Sequence, residues 1–115
     1  MTIERKHVGP RLSQVVIHGD TVYLAGIVAD HPTPDVAAQT GQILDKIDRY
    51  LKEAGTDKTR ILTATIWLAD IKDFAAMNSV WDMWVPKGNT PCRACIESKL
   101  ATPQYKVEIR VIAAR

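Results

Sequence analysis

Positions 36, 37, 43, 44, 47, 51 and 54 are all apolar, with the neutral Thr40 among them. This is the three-and-four spacing of one helical face, sustained for about five turns. Such a face must be buried, so the rest of the chain has to supply an apolar surface to cover it. Gly55 stands where a helix C-terminus favours glycine. Thr33 is the expected N-cap, with Pro34 at the first helical position. Phe74, Met77, Trp81, Trp84 and Val85 predict a second helix, capped by Asp73 and ended by Pro86-Lys87-Gly88-Asn89.

The covering surface is legible as a sheet. QVVIH (14–18) and TVYLAGIV (21–28) are rich in β-branched residues and flank Gly19-Asp20, which reads as a hairpin. TRILTATIWLAD (59–70) reads as a strand with Leu62, Ala64, Ile66 and Leu68 on one face and Thr63, Thr65 and Trp67 on the other. Residues 92–98 and YKVEIRVIA (105–113) give two more strands, joined by a turn near Thr102-Pro103. The order is ββαβαββ. The expected class is α+β, a mixed sheet with both helices on one face, in one domain over residues 1–115. The second sheet face must be polar or covered, and oligomerisation is a common solution.

Strand alternation sorts the polar residues. Arg93, Cys95 and Glu97 share one side of 92–98, and Cys92, Ala94, Ile96 and Ser98 share the other. In 105–113 the apolar set is Val107, Ile109 and Val111, alternating with Lys106, Glu108 and Arg110. If both apolar sets lie under the helices, Arg93 and Glu108 emerge together on the opposite face.

The charge pattern narrows the function classes. A net charge of +2, with basic residues interleaved among acids, leaves no basic stripe for nucleic acid. No segment resembles a signal peptide or approaches the ~20 apolar residues of a membrane span, so a cytoplasmic address is expected. Thiols there stay reduced, and two cysteines make no disulfide scaffold.

Cys92 and Cys95 form a C-x-x-C spacing. On a strand, positions three apart face opposite sides, so the sulfurs cannot close a disulfide. Zinc needs two further ligands, and His7, His18 and His31 are scattered. No metal or other cofactor is expected. Cys92 is expected as a small buried side chain. Arg93 is either a solvated strand charge or a carboxylate clamp, because guanidinium offers parallel donors. Glu108 is either an exposed acid or a base that positions water. Asn78 reads as an exposed polar residue of the second helix. Trp81 and Trp84 follow the helix stripe into the core, and Trp67 is the candidate interface or pocket aromatic. No phosphate loop or nucleophile elbow is present.

Over nearly its whole length the chain resembles the RidA family, also called YjgF or reactive-intermediate deaminases and formerly labelled translation inhibitor or L-PSP endoribonuclease. The resemblance runs through DVAAQTGQILDKIDRYLKEAG, IWLADIKDFAAMNSVWDMW, PCRACIESKL and YKVEIRVIA. Its specific marks are R-x-C-x-E and V-E-I-x-x-I-A, with D-x-x-x-F-x-x-M-N upstream. It implies a chorismate-mutase-like fold and a homotrimer whose sheets form an inner barrel, with pockets at the subunit interfaces. It also implies hydrolysis of enamines and imines such as 2-aminoacrylate to 2-oxo acids and ammonia, without a cofactor. By motif, Arg93 corresponds to the carboxylate-binding arginine, and Cys95 to a cysteine whose backbone contacts the ligand. Glu108 corresponds to the water-orienting glutamate, Gly26 to the glycine ending the second strand, and Asn78 to the asparagine of the M-N pair. Leu12 stands where deaminase members carry an aromatic, Ala25 replaces a serine and Ile27 a glutamine. The resemblance thus implies a substrate pocket contacted by Arg93, Cys95, Gly26, Asn78, Leu12, Ala25 and Ile27, and one that is more apolar. The alternative is a non-catalytic protein that binds a small carboxylate. RNA cleavage is disfavoured, because the chain lacks a basic stripe and a paired-histidine site.

Overall fold

The computed structural model describes all residues, 1–115. Its elements are β1 (Ile3–Val8), β2 (Ser13–His18), β3 (Thr21–Leu24), α1 (Val36–Glu53), β4 (Ile61–Leu68), α2 (Phe74–Trp84), β5 (Cys92–Glu97) and β6 (Val107–Ala114). One six-stranded sheet runs β1-β2-β3-β6-β4-β5. Its only parallel pair is β4–β5. The predicted α+β class, mixed sheet and two helices are present. β1 is an additional strand, making the order βββαβαββ. IERKHV has no buried face, and β1 exists through antiparallel pairing to β2.

The helix stripe folds as its spacing requires. Val36, Ile43, Leu44, Ile47, Leu51 and Ala54 are buried against Val107, Ile109 and Val111 of β6 and Ala64, Ile66 and Leu68 of β4, within one continuous core. Gly55 follows with φ +81°, in the left-handed region glycine enters without a Cβ penalty. The N-cap is Asp35 rather than Thr33. Its side chain accepts from the Ala37 N–H, because a carboxylate two residues upstream reaches that orphan donor directly. Asp73 precedes α2 but makes no side-chain cap. A register irregularity between Ile61 and Thr63 turns Ile61 into the core and leaves Leu62 52% exposed, against the predicted facing.

Gln39 belongs to no apolar pattern, yet it is 0% exposed. Its Nε2 donates to the carbonyls of Thr33 (2.6 Å) and Gln104 (2.9 Å), and its Oε1 accepts from the Lys106 N–H (2.9 Å). One buried amide thereby ties the start of α1 to the loop that leads into β6. Gln39→Leu keeps the volume but strands three backbone groups. We expect a loss of about 2–4 kcal/mol in denaturant unfolding, since each buried unpaired group costs ~1–3 kcal/mol. An unchanged midpoint would refute this role for the amide.

No helix is long and apolar enough to cross a membrane.

Candidate functional site

Pairing register decides where the polar residues point. In β6, Val107, Ile109 and Val111 are buried beneath the helices, so Glu108 and Arg110 face the open side of the sheet. In β5, Arg93 pairs with Ala64, Cys95 with Ile66 and Glu97 with Leu68, all buried positions of β4. Arg93 and Cys95 therefore lie on the helix side. Cys92, Ala94 and Ile96 pair with Thr63, Thr65 and Trp67 on the open side. This corrects two expectations. Cys92 is exposed rather than buried. Arg93 and Glu108 occupy opposite faces rather than one. The apolar set of β5 goes to the open face, where Ile96 is 45% exposed, because the parallel register brings the Arg93 set over the core positions of β4. The two sulfurs are free and on opposite sides, as alternation predicts.

On the helix side, α2 presents Phe74, Asn78 and Trp81 at i, i+4 and i+7 to Arg93. Nη1 of Arg93 donates to Asn78 Oδ1 at 2.8 Å. The guanidinium carbon lies 5.3 Å from the Trp81 ring centre and 5.8 Å from that of Phe74, within cation–π range. No carboxylate of the chain pairs with Arg93. Burial pushes the Cys95 thiol above its ordinary value of 9.0, outweighing the neighbouring Arg93 charge. Cys95 therefore stays a neutral thiol at neutral pH.

On the open side, Glu108 stands opposite Trp67 of β4. It also lies against Gly26, where any Cβ would overlap its carboxylate. Glycine at 26 thus lets the Glu108 carboxylate approach the backbone, and any side chain there would displace it. Ala25 follows the end of β3, its N–H bonded to the Gln14 carbonyl. Leu12 sits 53% exposed in the β1–β2 turn, where its carbonyl accepts from the Gly9 N–H. Leu12, Ala25, Gly26 and Glu108 fall at one end of the sheet, since β2 begins and β3 ends beside the start of β6. Ile27 does not line that surface. Its side chain is 1% exposed in the core, because its backbone bridges Ile109 with bonds of 2.8 and 3.0 Å and so adopts the inward facing.

Burial raises the Glu108 carboxyl above its ordinary value of 4.5. The folded chain then holds this proton more tightly than the unfolded one, so stability falls as pH rises from 4.5 through the folded value. The penalty is complete above that window and absent below it. Glu108→Gln should therefore raise the melting temperature at neutral pH and leave it unchanged in acid. Solvent screening keeps the gain small, as the group is only partly buried. Paired thermal melts check it, and a loss at neutral pH would contradict it.

Arg93 pairs level with Val111, and Glu108 level with Trp67 and Ile96. The two are thus about 10 Å apart along the strands and about 10 Å across them, with opposed side chains. None of the three cavities of the chain is lined by either residue. One copy cannot bring both to a single small ligand.

Comparison with known proteins agrees with this architecture. A crystal structure of a YjgF-family member from Neisseria meningitidis superposes with a TM-score of 0.97, at 43% identity, covering 100% of this chain and 96% of that one. The RutC family protein YoaB of Escherichia coli K12 is 46% identical over 114 residues, 99% of each chain. A 2-iminobutanoate/2-iminopropanoate deaminase of Rattus norvegicus is 31% identical over 109 residues, 90% of this chain and 79% of that protein. The Endoribonuclease L-PSP profile matches residues 3–115. Matched along this length and in fold, the chain belongs to the endoribonuclease L-PSP family, the RidA/YjgF proteins.

Proposed function

We propose that the protein hydrolyses reactive enamines and imines of the 2-aminoacrylate type to 2-oxo acids and ammonia, in sites assembled between copies of a homotrimer. The carrying observation is Arg93: a half-buried guanidinium held by an amide oxygen and two aromatic faces, with no acid to neutralise it. Such a group recognises a carboxylate through two parallel N–H donors. The rat relative bears the name of an imine deaminase, which supports the reaction class. The opposed faces of Arg93 and Glu108 support a shared site. A second copy, presenting its open sheet face beside the first copy's Arg93, would supply Glu108 with Gly26, Ala25 and Leu12 around it.

In this reading Arg93 and the Cys95 backbone hold the substrate carboxylate, placing the imine carbon near Glu108. Positioning supplies much of the rate, since a protonated imine is already electrophilic. Water adds to the carbon as Glu108 takes its proton. The carbinolamine then receives that proton from Glu108 on nitrogen, its hydroxyl returns a proton to Glu108 as the C=O forms, the C–N bond breaks, and ammonia leaves with a 2-oxo acid behind. Burial raises the Glu108 carboxyl and so makes it a better base than an ordinary glutamate.

The test generates 2-imino acids with an amino-acid oxidase and follows their loss with and without the protein. Equal rates end the proposal. Tight 2-oxo-acid binding without imine turnover would instead favour a non-catalytic carboxylate-binding protein, a reading prompted by Leu12, which offers the proposed pocket no polar group.

A further inference from the structure

We infer that Asn78 is a positioning residue, one that orients Arg93 without neutralising it, with Phe74 and Trp81 as its aromatic bedding; this rests on the carboxylate-clamp reading above. By motif Asn78 was expected to touch substrate. In the structure its Oδ1 instead accepts from Arg93 Nη1 at 2.8 Å, the only hydrogen bond the Arg93 side chain makes. Guanidinium has five N–H groups. With one of them on Asn78, the edge formed by Nε and Nη2 keeps its donors free for a side-on carboxylate.

The chemistry of the partner matters as much as its place. An aspartate at 78 would fit the same space and bind Arg93 more strongly, but it would cancel the charge that attracts the ligand and compete for its donors. An amide oxygen fixes the same N–H and leaves the cation whole. The aromatic faces of Trp81 and Phe74 act likewise: they restrain the guanidinium plane through the ring quadrupole, and neither contributes a formal charge. Every contact that orients Arg93 is thus neutral. A purely structural arginine gains from an acidic neighbour, so this arrangement suits an arginine kept for an external anion.

Calorimetric titration of pyruvate, the simplest 2-oxo acid, into the full chain tests this with three variants. Asn78→Ala should weaken binding about tenfold, the size of one charge-assisted restraint. Asn78→Asp, of equal size, should weaken it further, to about a hundredfold. Trp81→Phe keeps an aromatic face but shortens it, and should weaken binding less than Asn78→Ala. A double-mutant cycle separates positioning from direct contact. In an Arg93→Lys background, Asn78→Ala should add nothing to the loss, whereas an asparagine that touches pyruvate would weaken binding again. Wild-type binding with Asn78→Asp no weaker than Asn78→Ala overturns the inference alone. A wild type that takes no carboxylate overturns the clamp reading beneath it.

Discussion

Replacing Arg93 with alanine should lower kcat/KM for imine hydrolysis by about 10²–10⁴, with the fold retained. The size follows from the two N–H donors a carboxylate would use. Each charge-assisted bond contributes ~1.5–3 kcal/mol, and each ~1.4 kcal/mol is a factor of ten. The fold should tolerate the change because β5 is the edge strand of the sheet and Arg93 is only half-buried, with no ion pair to break. Arg93→Lys makes the comparison informative. It keeps the charge but loses the planar fork and most of its fit to Phe74 and Trp81, so it should fall between wild type and alanine. Steady-state kinetics on oxidase-generated imines, with a thermal melt for each variant, gives the answer. An Arg93→Ala protein that melts normally and turns over at the wild-type rate would remove Arg93 from the chemistry.

The elements readable from sequence were those whose local pattern and tertiary role agree. The stripe of α1, the Gly19-Asp20 hairpin and the alternation of β4 from Thr63 onward each combine periodicity with burial on one face, and each formed where expected. β1 was invisible because a strand with both faces exposed has no period to detect; its evidence is the partner, β2. The facing of β5 was legible only as a choice between two sets. Cys-Ala-Ile is the more apolar set, so it was assigned to the core. The open face is itself partly apolar around Trp67 and Ile112, while α2 offers aromatic faces that accept a guanidinium. Hydrophobicity alone could not order those environments, and on a strand the wrong choice reverses every residue. Arg93 and Glu108 were thus identifiable by motif, but their separation was not. The reason for Gly26 is likewise spatial, the nearness of a glutamate some eighty positions later in the chain. Asn78 carried a usable signal in its i+4 and i−3 relation to Phe74 and Trp81, obscured because Trp81 also satisfies the core stripe.

The separation of Arg93 from Glu108 yields the sharpest expected result: two inactive variants, mixed, should regain activity. Arg93→Ala chains keep Glu108, and Glu108→Gln chains keep Arg93. If each site takes its arginine from one chain and its glutamate from the neighbour, co-refolded mixtures contain intact sites. In a closed ring assembled at random from equal amounts, a site is whole when its arginine donor is a Glu108→Gln chain and its glutamate donor an Arg93→Ala chain. Each condition holds for half the chains, so about a quarter of the sites are restored. Either variant alone has none. Exchange matters, since preformed assemblies of either variant alone, mixed without unfolding, should stay inactive until chains trade places. A site built within one chain predicts the opposite, because each chain would carry its own lesion and no mixture could exceed the sum of its parts. The geometry argues for the first outcome. Through β4, the strand between them, the two residues are held on opposite sides of a packed sheet, and no side-chain rotation carries Glu108 through the layer formed by Ala64, Ile66 and Ile109 to reach a ligand on Arg93.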